Sequence, residues 1–334
     1  MPNFNKIMFF STLLVGTLMA ISSTSWLSAW IGLEINLLSM IPLLSEKKNL
    51  YPAEAAIKYF MAQALASSIL LFSVITNIMN SELYLPLWSS IPDIMLESSI
   101  FMKMGVAPFH AWLPEVAEGL NWTNCMIMFT WQKVSPMILI MYTKMNTQMI
   151  STIIILSATI GSLLGLNQIS MRKILAYSSI NHMAWMLAAM MYSIQTWTIY
   201  FMTYVIISLN IMVLLKKNST FSMKQMISKF CKNKMISFLL AMNFLSLGGL
   251  PPLLGFYPKW ITMNNLTISN LLTMGVIMII LTLITLFFYI RIIMTALTMG
   301  TSSNKLLFTF KQSWKSIFVN LVALSFLTFS PLVF

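Results

Sequence analysis

Charge is scarce in this sequence. Asp, Glu, Lys and Arg together make up 8% of 334 residues, and only eight of them are acids. A soluble globular chain carries about 25% charged residues, so an ordinary water-facing domain is excluded. Cysteine is scarcer still. Cys125 and Cys231 are too few and too far apart for a disulfide framework or a metal site. The two histidines, His110 and His182, form no HExxH or similar spacing, and no glycine-rich phosphate loop is present. What fills the chain is apolar: 58% hydrophobic residues and a mean hydropathy of +0.82. In a soluble protein the net charge of +12 would suggest nucleic acid. Here Lys and Arg lie between long apolar runs, which argues against a nucleic-acid partner and identifies a multispanning membrane protein.

A helix needs about 20 apolar residues to cross the ~30 Å hydrocarbon core. On that measure the sequence predicts an all-α polytopic fold with eleven transmembrane spans. They fall near 7–25, 27–45, 54–77, 93–112, 122–143, 149–169, 173–194, 196–216, 235–265, 270–295 and 315–333. The N-terminal run resembles a signal peptide, but a second apolar run follows at once, so it reads as a retained span. Spans four and nine contain "KMGVAPFHAWLP" and "SLGGLPPLLGFYPKW". Proline lacks the N–H a helix needs and clashes with the preceding turn, so both spans are expected to be broken helices. Freed backbone groups at membrane depth are tolerated only inside protein or along a wet cavity.

Loop charges give an orientation. Connections on the side of the N-terminus hold Lys6, Lys47, Lys48, Arg172, Lys173, Lys216, Lys217, Lys224, Lys229, Lys232, Lys234, Lys305, Lys311 and Lys315. The opposite loops hold Lys144 and little else that is basic. The positive-inside bias therefore places the N-terminus on the cytoplasm-equivalent side and, with an odd helix count, the C-terminus on the other.

Against this background a few charges stand out. Glu34 lies near the middle of span two, Lys103 of span four, Lys133 of span five and His182 of span seven, while Lys259 follows the break in span nine. A charge at the centre of a membrane helix costs roughly 2.5–3.5 kcal/mol and usually faces the bundle interior along an ion path. A packing ion pair or a snorkelling lysine is the bland reading of any one of them. Four central titratable groups and a fifth beside a break outweigh it. Ser135 and Pro136 follow Lys133 and can loosen that helix to admit water.

The placement repeats. Glu34 and Pro108 are 74 residues apart, and His182 and Pro252 are 70 apart. Five spans separate the two sets, and an odd repeat reverses orientation. Two inverted five-helix repeats with discontinuous helices are a transporter architecture. The organisation read from this is residues 1–145 as the first repeat and 146–298 as the second. A basic loop and a C-terminal helix occupy 299–334.

The stretches "WIGLEINLLSMIPLL", "APFHAWLPEVAEGL", "WQKVSPM", "RKILAYSSINHMAWM" and "LGGLPPLLGFYPKW" resemble the antiporter-like membrane subunits of respiratory complex I, the proton-pumping NADH:ubiquinone oxidoreductase. The likeness runs over essentially the whole chain, and the 31 methionines suit an animal mitochondrial gene. It implies a relay in which Glu34 and Lys103 form an acid–lysine pair and Lys133 is the central lysine. Lys259 leads outward, and His182 belongs to a polar axis linking the halves. It also implies a mitochondrial inner-membrane location, with the N-terminus in the matrix and the C-terminus in the intermembrane space. Expected partners are the neighbouring antiporter-like subunit 4, subunit 4L, accessory subunits and phospholipid including cardiolipin. No cofactor is expected on this chain: FMN, iron–sulfur clusters and ubiquinone belong on other subunits. Bacterial members have three further N-terminal helices, so a face of this chain is left for accessory subunits or lipid to cover.

A stand-alone cation–proton antiporter, sodium included, and a non-pumping membrane scaffold are the competing classes. Other features read as structural. Trp26 and Trp30 suit interface anchors, and Glu54 with Lys58 suits a local i,i+4 pair. The lysine-rich loop 216–234 suits a topogenic role, with anionic lipid as a second use. His110 has two readings, a hydrogen-bonder of freed carbonyls or a lining of the water path.

Overall fold

The computed structural model describes residues 4–45, 49–83, 90–143, 146–230, 234–251 and 253–298. Among them the regular structure is helical, apart from one isolated bridge between Ser170 and Ser222. Hydrocarbon explains this, because each backbone N–H and C=O must be paired and a helix pairs its own. Hydroxyls obey the same rule. Ser39, Ser73, Ser99, Thr262 and Thr285 each donate to the carbonyl three residues back, so helices can carry them at depth. The chain forms two compact units, with the division between Ile153 and Ile154.

In the first unit α1 (Phe4–Ile21) packs along α2 (Trp26–Leu44). A Cβ on Gly32 would lie 2.6 Å from the backbone nitrogen of Ala20, so the two backbones meet there without side chains between them. α3 (Leu50–Leu83) packs on α4 (Ser90–Met104) and α5 (Trp112–Gly119). α6 (Trp122–Phe129) and α7 (Val134–Met141) follow, and α8 (Thr147–Leu166) crosses the boundary between the units.

Span four is interrupted where the sequence predicted, between α4 and α5. Span five departs from the single helix expected. A 3-10 turn over Trp131–Lys133 separates α6 from α7. Thr130 has φ −113° and ψ −71°, away from helical values. Pro136 has no N–H to bond back to the carbonyl of Gln132.

The second unit is built around α9 (Met171–Met190), which is buried along nearly its whole length. α10 (Ile194–Lys217) packs against α9 and α12 (Lys234–Gly248). α13 (Phe256–Ile268) continues after the second break and contacts α9, α10 and α14 (Leu272–Thr298). The basic loop contains a short helix not foreseen from the sequence, α11 (Met223–Phe230). Its Lys229 Nζ donates to the carbonyls of Asn218 and Ser219 beyond the end of α10.

Among the described residues six helices are long and apolar enough to cross a membrane. They expose large apolar side chains such as Leu18, Leu38, Ile280 and Phe287, which suits contact with lipid. The eleventh span predicted at 315–333 lies outside the described residues, as do Lys47, Lys48, Lys144, Cys231 and Pro252.

Candidate functional site

Both broken helices end in the same way. In α4 the N–H of Val106 bonds to the carbonyl of Phe101 and that of Gly105 to Met102. In α12 the N–H of Leu250 bonds to Leu245 and that of Gly249 to Ser246. Each pattern is a Schellman motif, which needs a left-handed residue just past the helix. Gly105 at φ +71° and Gly249 at φ +79° supply it. The motif still leaves the last carbonyls of each helix without backbone partners. What satisfies them defines the site.

In the first unit side chains of neighbouring helices reach the break. Gln63 Nε2 of α3 donates to the freed Lys103 carbonyl at 3.2 Å, and Trp112 Nε1 of α5 adds a second bond, at 3.1 Å, to the Met102 carbonyl that also accepts from Gly105. Lys103 itself is 6% exposed on the last turn of α4. Lys133 is 2% exposed at the end of the 3-10 turn, with its ammonium 6.0 Å from the centre of the Phe129 ring. The preceding Gln132 donates from Nε2 to Asn36 Oδ1 of α2 at 3.0 Å and accepts from the Tyr59 hydroxyl at 3.5 Å. A cavity of about 20 Å³ opens among Asn36, Tyr59, Gln63, Lys103, Gln132 and Ser135. A space of this size holds about one water, and it joins Lys103 to Gln132 and Ser135, which lie one residue before and two residues after Lys133.

Glu34 is half-buried and forms no direct ion pair with Lys103. The direct acid–lysine pair expected from the sequence is not formed. Lys58 makes the close contacts instead, to Glu54 at 3.0 Å as the i,i+4 spacing predicted and to Glu115 of α5 at 3.2 Å. All three side chains are well exposed, so these bridges contribute little to stability. The His110 ring nitrogen lies 3.2 Å from the Pro108 carbonyl, which is the structural role considered for it.

In the second unit Lys259, on the first turn of α13 and 8% exposed, reaches back to α12. Its Nζ donates to the carbonyls of Leu247 at 3.3 Å and Gly248 at 2.9 Å. These are two of the carbonyls the Schellman motif leaves over, at the negative end of the helix dipole. The same ammonium stands 5.8 Å from the centre of the Trp185 ring of α9. His182, one turn earlier on α9, has its Nδ1 3.0 Å from the Tyr200 hydroxyl of α10, and the Tyr204 ring is 5.3 Å away centre to centre.

Each unit thus places buried cations beside a break in a helix, where freed carbonyls and polar side chains converge. Such a centre can hold and pass protons. The first unit offers amines, amides, hydroxyls and room for one water, and the second an amine, an imidazole and tyrosine hydroxyls. Sequence reasoning did not find Asn36, Tyr59, Gln63, Gln132, Trp185 or Tyr200. The one available signal was Gln132 standing next to Lys133.

Comparisons with known proteins bear on this arrangement. Residues 23–285 match the family model described as NADH:quinone oxidoreductase/Mrp antiporter, transmembrane. NADH-ubiquinone oxidoreductase chain 2 of Anopheles gambiae is 44% identical over 340 residues, covering 100% of this chain and 99% of the relative. The protein of that name from Locusta migratoria is 42% identical, covering 93% and 91%. In fold, the chain superposes on one chain of respiratory complex I from Thermus thermophilus with TM-score 0.87 at 21% identity, covering 100% of this chain and 80% of that one. A chain of the Mrp complex from Dietzia gives TM-score 0.74 at 15% identity, covering 86% and 59%.

Proposed function

This chain belongs to the NADH:quinone oxidoreductase/Mrp antiporter membrane family, and we propose that it translocates protons through its buried lysines. It is a membrane subunit of NADH:ubiquinone oxidoreductase, respiratory complex I. The observation that carries the proton-moving role is the water-sized cavity joining Lys103 to Gln132 and Ser135 beside Lys133.

The positions support the following roles. Lys103 and Lys133 exchange a proton through the cavity water, and Glu34 biases Lys103 through its field. Lys259 holds a proton against the end of α12, and His182 with Tyr200 supplies a further donor–acceptor pair. The two Schellman-ended breaks support reading the chain as two inverted repeats. Lysine placement in the loops supports an N-terminus in the matrix and a C-terminus in the intermembrane space. Redox chemistry belongs to other subunits. Subunits 4 and 4L, accessory subunits and cardiolipin are the proposed neighbours.

The test is a native gel of solubilised inner membrane stained for NADH oxidation. The chain should migrate with the large active band and not alone. A separately migrating chain that exchanges cations for protons in liposomes would support the antiporter reading instead.

A further inference from the structure

Glu97 has no part in the relay described above. It lies on α4, six residues before Lys103, and is 2% exposed. Its Oε1 accepts the backbone N–H of Asn146 at 3.3 Å, just before α8 begins. Its Oε2 is buried without a hydrogen-bond partner.

Among the described residues the surroundings offer little compensation. Asp93, one turn away on α4, accepts from the Asn77 amide of α3 at 3.2 Å. α7 carries no titratable side chain, and the exposed Tyr142 follows it. On α3, Tyr51, Glu54, Lys58 and Tyr59 precede Gln63, whose amide marks the Lys103 end of α4, and Glu82 belongs to its last turn. Lys144 lies outside the described residues.

A buried carboxylate needs a cation or several donors, and among the described residues one N–H serves it. A buried carboxylic acid needs an acceptor for its O–H, and Oε2 has none. Each protonation state is short of a partner, so neither is locked. If the residue served only to hold the Asn146 N–H, a glutamine amide oxygen would do as well. A buried polar atom left unsatisfied calls for a functional account or a bound water.

Resting on the proton-moving reading above, we propose that Glu97 is a proton-binding site of the first unit. It is charged and discharged at Oε2 through water, between Lys103, about 9 Å along the helix, and Asn146 at the start of α8. The experiment uses the assembled complex as wild type, Glu97→Gln and Glu97→Asp. Glutamine keeps the acceptor for Asn146 and removes the titrating proton.

Infrared difference spectra between acid and alkaline buffer should contain a carboxylic C=O stretching band that shifts in D2O. That band should move in Glu97→Asp and vanish in Glu97→Gln, and protons moved per NADH should fall in Glu97→Gln. Identical spectra for wild type and Glu97→Gln, or wild-type proton yield in the latter, overturns the proposal. If Glu97→Gln does not assemble, the Glu97→Asp spectrum decides by whether the band moves. Should Lys133 variants also pump normally, the relay reading fails, while the band still reports whether Glu97 titrates.

Discussion

Lys259 Nζ donates to the carbonyl oxygen of Gly248 at 2.9 Å and so caps the half-helix that ends there. The lysine that a proton path would use is thus the group that completes the helix break. Burial of its charge is offset by two carbonyls and by the helix dipole. Neutral lysine would give up part of that bonding, which ties protonation to the state of the break.

Gly249 tests this coupling. A Cβ there would lie 2.8 Å from Lys259 Cδ and 2.9 Å from Nζ, at φ +79°. At Gly105, φ +71°, the Cβ would meet the side chains of Leu113 and Trp112 instead. Alanine at either position costs about 1–2 kcal/mol for its left-handed backbone. Both Gly249→Ala and Gly105→Ala should lower the yield of assembled complex by similar amounts. Gly249→Ala alone should also lower protons pumped per NADH in the complex that does assemble. Equal pumping in the two variants would mean the position of Lys259 is unimportant.

Gln132 ties α2 and α3 to the interrupted span five. Gln132→Leu leaves the Asn36 and Tyr59 side chains without that partner and should destabilise the complex by about 1–3 kcal/mol. Asn36→Leu should cost less when Gln132 is already leucine, because the two residues share one bond. Thermal denaturation of the purified complex across this double-mutant cycle reads the coupling. Strict additivity would show that the bond contributes nothing.

Glu34 makes no direct ion pair with Lys103, so its removal should leave packing intact. Glu34→Gln is expected to assemble at wild-type levels and to oxidise NADH with a reduced proton yield. Proton uptake by reconstituted complex measures this, and an unchanged yield would remove Glu34 from the mechanism.

Orientation has its own test. Six lysines lie in the loop that holds Cys231, and the positive-inside bias predicts the matrix side for it. An impermeant thiol reagent should label Cys231 in inside-out inner-membrane vesicles and not in mitoplasts. Labelling in mitoplasts would mean that the order of spans is wrong.

The helix breaks were legible because glycine and proline announce themselves in an apolar run, as "GGLPP" does. The lysines were legible because charge is costly at depth. Their supporting residues were not. Gln132 and Asn36 are 96 residues apart, and a neutral amide in a membrane helix is cheap enough to carry no signal of its own. Ser135 and Pro136 marked span five as loosened, but the place of its interruption, at Thr130, was hidden because threonine has no fixed conformational demand. Pro136, which helps cause it, sits past the break in the first turn of the next helix, where proline is tolerated. Glu97 stood in the sequence as a visible acid, but only packing shows that one of its oxygens is bare.

The account depends most on Lys133 being able to release its proton, not merely on its being positive. Lys133→Arg keeps the charge on a group that does not deprotonate in proteins, and Lys133→Met removes the charge while keeping roughly the length. The measurement is NADH-driven proton pumping per assembled complex for both variants. A relay predicts that both fall well below wild type. Near-normal pumping with arginine and loss only with methionine would contradict it and make Lys133 a packing charge.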